Sequence, residues 1–363
     1  MTRQGIAVLP GLASAVVKWQ KIQGRNDLPW QNTRDPYRVW LSEVMLQQTQ
    51  VATVLDYFPR FLSRFPSVSV LAGAPLDDVL GLWSGLGYYS RARNLHLCAL
   101  EVMRLHGGVF PDTSQLLETL PGIGRSTAAA IASLCFGERA AILDGNVRRV
   151  LSRVLGFDAD LASAANHRRL WDEAVRLLPA SDLAHAMPRY SQGMMDLGAL
   201  VCTARKPSCG VCPVAAQCVA NGLGQPESFP VKTRRLKRSS QSIWLLWARG
   251  ADARVWLNKR PTPGVWAGLY CFPLFASREE LEAAVPARYR SALQDAPAFS
   301  HALTHKDLHL HPVQLQVAVS APPCSEGIWV AGDEWPQLGL PAPVRKLLTQ
   351  DGGSAWHANC PGA

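Results

Sequence analysis

Two helical runs, 116–120 and 126–134, stand only Pro121-Gly122-Ile123-Gly124 apart, and a chain with that spacing must turn back on itself. Pro121 fixes φ and both glycines are expected at φ > 0. The second helix then begins abruptly, with its first amide N–H groups turned outward as a phosphate would need. Arg125 adds positive charge beside those amides. Gly122, Gly124, Arg125 and Ser126 are therefore candidate contacts for a polyanion.

Ten residues beyond Leu134, Asp144 follows Ile142-Leu143 and precedes Gly145-Asn146. Val147, Val150, Leu151 and Val154 then share one helical face, so Asp144 occupies an N-cap position, where Asp is favoured for backbone reasons. Capping accounts for Asp144 by itself, but it also holds a carboxylate rigidly, which leaves a chemical role open.

Residues 39–58 predict one helix with Trp40, Leu41, Val44, Met45 and Val51 on its apolar side and Glu43 next to that side. A lone glutamate on a helix is commonly solvated. Against that stands Gln47-Gln48-Thr49-Gln50, four uncharged hydrogen-bonding side chains that suit base edges better than a solvent face. Further on, Gly85-Leu86-Gly87-Tyr88-Tyr89 is a glycine-hinged loop presenting aromatic rings, of which at least one is expected to pack on the core.

The 363 residues are long enough for two or three domains, and 48% hydrophobic content excludes a disordered or fibrous chain. A net charge of +9 suits a polyanionic partner. The opening MTRQGIAVLPGLASAVVKW imitates a secretion signal. Pro10 and Gly11 interrupt its apolar run, however, and Leu12, Val16 and Trp19 recur at helical spacing, which predicts an amphipathic helix. No apolar run approaches the roughly 18 residues of a membrane span. Nine cysteines, odd in number and unevenly placed, point to a reducing compartment and a cytosolic chain.

Four of them form Cys202-x6-Cys209-x2-Cys212-x5-Cys218, a metal-ligand spacing that zinc and an iron–sulfur cluster share. Cys98, Cys135, Cys271, Cys324 and Cys360 lack such spacing. From 26 to 135, helical segments follow one another with breaks at Asp35-Pro36, Pro66, Pro75, Gly81, 85–87 and Gly107-Gly108. Residues 226–240 are poor in apolar side chains and carry Lys232, Arg234, Arg235, Lys237 and Arg238, as a basic linker does. β-like runs at 242–248, 254–260, 269–275, 308–319 and 328–331, with helical runs at 278–285 and 341–349, make an α+β module. Within 308–319 the apolar residues shift from Leu308 and Leu310 to Val313, Leu315 and Val317. Pro312 sits at the shift, which predicts an edge strand with a bulge.

The motifs DLPW (27–30), SEVMLQQTQV (42–51), GLGYYSRARNL (85–95), LPGIGRST (120–127) and LDGNVRRVL (143–151), in this order, resemble the MutY family of adenine DNA glycosylases in the helix-hairpin-helix superfamily. The resemblance runs from about residue 27 through the cysteines and continues more weakly beyond. It implies a mainly α helix-hairpin-helix glycosylase region over 1–225, with a six-helix barrel lobe at 26–138 and an iron–sulfur lobe at 1–25 and 139–225. The linker at 226–240 and an α+β, Nudix-like recognition domain at 241–363 follow. The implied activity is base excision repair: monofunctional hydrolysis of the N-glycosidic bond of adenine mispaired with 8-oxoguanine or guanine in duplex DNA, after base flipping, by a monomer.

Carried over residue by residue, Glu43 would protonate adenine at N7 and then assist water, Asp144 would stay ionised beside the cationic sugar, and Asn146 would orient Asp144 or the water. Trp30 and Leu46 would form the apolar wall that raises the Glu43 pKa. Gln47 would meet base edges, and Gln48, Thr49 and Tyr88 would enter the duplex. Ser126 stands where the endonuclease III branch has a lysine, so no Schiff base is expected. Arg148 stands where some members have a lysine. Cys202, Cys209, Cys212 and Cys218 would hold a 4Fe–4S cluster, with Arg205 and Lys206 turned to DNA. GVWAGLYCFP (264–273) carries the Nudix-like resemblance, but 277–285 lacks the acidic signature, so pyrophosphate hydrolysis is not expected. The family's Phe-Ser-His reader fits best at Leu303-Thr304-His305, after a turn at 300–302, with Thr304 and His305 reading 8-oxoguanine.

Overall fold

The computed structural model describes residues 11–233, 238–318 and 322–351. Pro10, Arg234, Arg235, Lys237, Cys360 and residue 319 of the predicted 308–319 strand lie outside them. The helices, in chain order, are α1 (Leu12–Gln23), α2 (Pro36–Leu46), α3 (Val51–Arg64), α4 (Val68–Gly73), α5 (Leu76–Leu82), α6 (Ser90–His106), α7 (Ser114–Leu117), α8 (Arg125–Ile131), α9 (Gly145–Leu155), α10 (Ala164–Arg176), α11 (Leu183–Leu200) and α12 (Val219–Gly222). The chain divides into two compact units, Met1–Ala72 with Leu97–Arg235, and Gly73–His96 with Leu236–Ala363.

In the first unit, α1 is the expected amphipathic opening helix, burying Leu12, Val16 and Trp19. These pack with Val147, Val150, Leu151 and Val154 of α9 and with Met187, Tyr190, Met194 and Leu197 of α11. Each large side chain so buried contributes about 1.5–3 kcal/mol. Around α2 and α3 a second set of buried rings includes Trp40, Phe58, Phe61 and Phe110, with Trp40 and Phe110 centroids 5.2 Å apart. Asp35 starts α2 by accepting the Tyr37 N–H at 2.9 Å, with Pro36 in the first turn, where a missing N–H is tolerated.

One helix over 39–58 is expected, yet α2 ends at Leu46 and α3 begins at Val51. Gln48 takes φ 57°, a left-handed conformation that no right-handed helix continues through. The glutamine-rich run is thus the corner itself. After α8 the helix widens into a π turn, Ala132–Phe136, and stops at Gly137, whose φ is 71°.

The 226–240 stretch is not a free linker at its start. Phe229 is buried, the Leu161 N–H donates to the Val231 carbonyl at 3.1 Å, and the Thr233 hydroxyl bonds Asp160. One apolar ring and two hydrogen bonds suffice to fasten a segment whose composition otherwise reads as solvated.

The second unit is a mixed sheet of β1 (Ser239–Gly250), β2 (Val255–Lys259), β3 (Tyr270–Cys271), β4 (Leu274–Phe275), β5 (Gln294–Asp295), β6 (Phe299–Ala302), β7 (Lys306–Val317) and β8 (Ile328–Val330). The strand order is β3-β2-β1-β7-β5, with β4 on β1, β6 on β7 and β8 on β2. Helices α13 (Arg278–Ala284) and α14 (Ala342–Asp351) complete it.

The predicted bulged edge strand is instead an interior one. β7 pairs in parallel with β1 from Ser239↔Lys306 to Gly250↔Val317 without a skipped residue, and antiparallel with β5 and β6 on its other side. The apolar shift is a change of buried face: Leu308 and Leu310 join Leu340, Val344 and Leu347, whereas Val313, Leu315 and Val317 join Leu281 and Val285. Pro312 is tolerated between the ends of β5 and β6, where its carbonyl accepts the Ala296 N–H at 2.9 Å. The turn expected at 300–302 lies within β6, which pairs Phe299↔Leu310 through Ala302↔Asp307. The chain reverses after it, closed by the Leu303 N–H on the Lys306 carbonyl at 2.8 Å.

Candidate active site

A cavity of about 1010 Å³ opens in the helical unit, and Trp30, Glu43, Leu46, Gln47, Gln48, Thr49, Ser126, Asp144 and Asn146 all line it. Glu43 reaches it from the last turn of α2, with Trp30 and Leu46 among its apolar walls. Trp30 is itself buried and packs edge-on against Phe58 at 5.4 Å. Burial pushes the Glu43 carboxyl up to about 7, and the neighbouring charge of Asp144 pushes it in the same direction.

Asp144 is the N-cap of α9, its Oδ1 accepting the Val147 N–H at 2.7 Å. Burial raises its pKa, while the backbone N–H groups of Val147 and Asn146 and the charges of Arg149 and Arg148 pull it back. The two carboxylates thus share one cavity under unequal conditions: burial and a like charge act on Glu43, whereas Asp144 has donors and cations beside it. Asn146 takes part in two ways: its backbone N–H serves Asp144, and its side-chain oxygen accepts from Arg149 Nη2 at 2.9 Å. Arg149 also donates to the carbonyls of Gly198 and Cys202, at 2.7 and 2.8 Å.

The hairpin departs from the sequence reading at one glycine. Gly122 has φ 75° as expected, whereas Gly124 is extended at φ −90°, and a Cβ there would meet nothing within 4 Å. The space beside Gly124 is open to whatever approaches from outside. Arg125 lies over the Trp171 ring at 4.1 Å, a cation–π contact that fixes its guanidinium. Ser126 Oγ accepts the Leu143 N–H at 3.2 Å and so ties the hairpin to the residue before Asp144.

Cys202, Cys209, Cys212 and Cys218 surround a separate cavity of about 20 Å³ walled by Val150, Val154, Leu197, Val201 and Val214. Burial pushes the Cys212 thiol up to about 11, so a thiolate there needs a positive partner. Fully buried Arg153 donates to Cys202 Sγ at 3.3 Å and so places a positive charge beside the four sulfurs. The donor set fits a metal centre. Arg205 and Lys206, between the first two cysteines, are exposed.

Tyr88, Thr304 and His305 belong to the sheet unit and do not line the large cavity. Tyr88 has φ 47° and is 44% exposed, and its hydroxyl bonds the Thr304 hydroxyl at 2.8 Å. Its neighbour Tyr89 is the one tied inward, donating to the Leu340 carbonyl at 2.8 Å. Thr304 and His305 are exposed in the β6–β7 turn. Ser300, by contrast, bonds His309 at 3.1 Å, and half-buried His301 stands 6.3 Å from the Trp266 ring.

Residue patterns missed Arg25, Leu134 and Gln192, which also line the cavity, and Asp196 behind it. A lone aspartate on the apolar side of the helical run 190–200 was the available signal.

A helical unit with a glycine hairpin, a capped aspartate facing a desolvated glutamate and a four-cysteine pocket defines a base-excision glycosylase with an iron–sulfur lobe. Comparison with known families agrees: residues 41–174 match the HhH-GPD superfamily of base excision DNA repair proteins, 202–218 the iron-sulfur binding domain of endonuclease III, and 243–350 the NUDIX domain. A thermostable thymine-DNA glycosylase of known structure superimposes with a TM-score of 0.51 at 28% identity, covering 58% of this chain and 95% of that one. The adenine DNA glycosylase of Buchnera aphidicola subsp. Acyrthosiphon pisum is 36% identical over 92% of this chain and 95% of its own length. The human adenine DNA glycosylase is 36% identical over 74% of this chain and 58% of its own. The chain belongs to the adenine DNA glycosylase, or MutY, family. It is a DNA repair hydrolase of N-glycosyl bonds with a 4Fe–4S cluster. No helix among the described residues is long and apolar enough to cross a membrane.

Proposed function

We propose that this enzyme releases adenine paired with 8-oxoguanine, or with guanine, from duplex DNA after turning the nucleotide out of the stack. The observation that carries this reading is the pairing of Glu43, pushed up to about 7, with an Asp144 supplied with donors and cations, in one cavity. Hydrolysis of an N-glycosidic bond needs an acid for the leaving base and an anion for the cationic sugar. Glu43, protonated, gives its proton to N7 of adenine, and as a carboxylate then takes one from water. Asp144, ionised, stabilises the oxocarbenium-like sugar directly or through a short-lived bond to C1′. Asn146 holds Asp144 through its backbone, and Trp30 and Leu46 form the apolar wall that keeps the Glu43 proton on near neutral pH.

Gln47, Gln48 and Thr49 at the α2–α3 corner, with Tyr88, act on the duplex around the vacated position. Gly122, Gly124 and Arg125 take the DNA backbone, for which the open space at Gly124 is the support. Thr304 and His305 read 8-oxoguanine from an exposed turn. Cys202, Cys209, Cys212 and Cys218 hold the 4Fe–4S cluster, which supplies a rigid frame for its loop when bound. Ser126 has no amine, so the enzyme leaves an abasic site unbroken. By function, residues 1–225 are the glycosylase region, 226–240 the linker and 241–363 the recognition domain, while by packing 73–96 belong to the sheet unit; the enzyme acts as a monomer in the cytosol.

The test is a panel of labelled duplexes carrying A:8-oxoG, A:G or thymine glycol, resolved with and without alkali. Cleavage of the first two only after alkali is expected, with little covalent complex trapped by borohydride. Breaks without alkali, or release from thymine glycol, would overturn the reading.

A further inference from the structure

Arg238, in the basic stretch 226–240, turns back onto the sheet unit and spans two acceptors at the β6–β7 turn. Its Nη1 donates to the Thr304 carbonyl at 3.1 Å, while Nε, at 3.1 Å, and Nη2 form a fork on the Asp307 carboxylate. The next residue continues the hold, the Ser239 N–H donating to the His305 carbonyl at 3.1 Å. With the Leu303 N–H on the Lys306 carbonyl, three successive residues of the turn have a backbone group fastened. The hydrogen bonds from Arg238 hold the Asp307 carboxyl below its ordinary range, so the pair stays ionised at neutral pH.

The two side chains are 41% and 43% exposed, and an exposed ion pair adds little to the stability of a fold. Its effect is local. A turn with fixed carbonyls presents the Thr304 hydroxyl and the His305 ring in one arrangement, whereas a free turn must be ordered as the base arrives, which lowers affinity by about fivefold or more for each backbone residue ordered. We propose that Arg238 is a positioning residue, which with Asp307 keeps Thr304 and His305 in the arrangement that meets the base opposite the released adenine. This rests on the reading of that turn as the 8-oxoguanine reader. It gives a linker arginine a part in mispair specificity, in place of the phosphate contact that its charge alone suggests.

The experiment measures single-turnover adenine release by the full-length protein, across enzyme concentration, from duplexes carrying A:8-oxoG or A:G. Arg238→Gln is expected to raise the half-saturating concentration for A:8-oxoG by about three- to tenfold, with the A:G value held within about twofold and both limiting rates unchanged. Arg238→Lys should show the same loss, because one ammonium keeps the charge but cannot fork onto a carboxylate and reach the carbonyl as well. Asp307→Asn loosens the fork from its other side and should lower the preference in the same direction. Adding Arg238→Gln to Thr304→Ala with His305→Ala should cause no further loss, since nothing is left to position.

A phosphate contact would instead weaken both duplexes alike, flatten their salt dependence by about one unit and be restored by lysine, and that pattern overturns the inference. An unchanged preference in Arg238→Gln and Asp307→Asn overturns it too, as does an additive loss in the combined variant. If Thr304→Ala with His305→Ala loses the preference while the Arg238 variants keep it, the reader stands and the inference falls. If that double variant keeps the preference, the reading of the turn falls and the inference with it.

Discussion

Glu43 and Asp144 are held from several sides: one lies on a helix under apolar walls, and the other is pinned as an N-cap by the Val147 N–H at 2.7 Å. Thr304 and His305 sit exposed in a strand turn, where the Thr304 hydroxyl meets the Tyr88 hydroxyl at 2.8 Å. Chemistry on a base needs a carboxyl whose proton stays near neutral pH, and burial supplies that. Reading the opposite base needs groups that can reach a duplex. Under the proposed function the packed unit serves reactivity and an exposed turn of the sheet unit serves recognition, so damage to the two should separate cleanly.

The widest separation is expected at the carboxylates. Glu43→Gln or Asp144→Asn should lower single-turnover adenine release by about a thousandfold or more, the scale of a lost acid–base or charge role. Affinity for the duplex, measured by anisotropy, should change only a few fold. Either variant releasing adenine at near wild-type rate breaks the contrast on its catalytic side.

At the reading turn the expected effect is smaller and selective. Thr304→Ala with His305→Ala should reduce the preference for A:8-oxoG over A:G by about tenfold, the scale of one lost base contact. Release from A:G should hardly change. Ser300→Ala with His301→Ala should leave the preference in place, because those side chains face His309 and Trp266. The reverse pattern would move the reader onto β6.

The smallest expected effect is in stability. The folded Glu43 value of about 7 lies above its ordinary 4.5, so above pH 7 the folded protein carries a charge that burial opposes. Below about pH 4.5 the carboxyl is neutral in both states and the penalty vanishes. Allowing for its partial exposure to the cavity, Glu43→Gln should stabilise the protein by on the order of 2 kcal/mol at about pH 8 and by nearly nothing at about pH 4.5. Thr304→Ala, an exposed change, should stay within about 0.5 kcal/mol at either pH. Thermal melts across that pH range read both, and a Glu43→Gln gain independent of pH would contradict the burial account.

The sequence carried the packed side of this contrast well, because periodicity and caps follow from local rules. The α9 face and the Asp144 cap are spacing effects and stand where the residues predict, and the hairpin does so except at Gly124, which is extended. What failed was tertiary. The 39–58 run has helical spacing throughout, and only the φ of Gln48 shows where it breaks. The shift at Pro312 looks like a bulge in one strand and is a change of face once β1 lies alongside. Phe229 fastens a stretch whose charges suggested a tether. Asp196 was illegible for the same reason, since Arg25, which fills most of its carboxylate, stands 171 residues away in the chain.

The account rests on Glu43 holding the proton that the leaving base receives, and the pH dependence of single-turnover adenine release tests this most directly. Below about pH 7 the rate should be nearly level while Glu43 remains protonated, and above about pH 7 it should fall towards a tenfold loss for each further unit, since a single group is being emptied. A rate that stays level to about pH 9, or climbs through pH 7, would mean that Glu43 is not the proton donor.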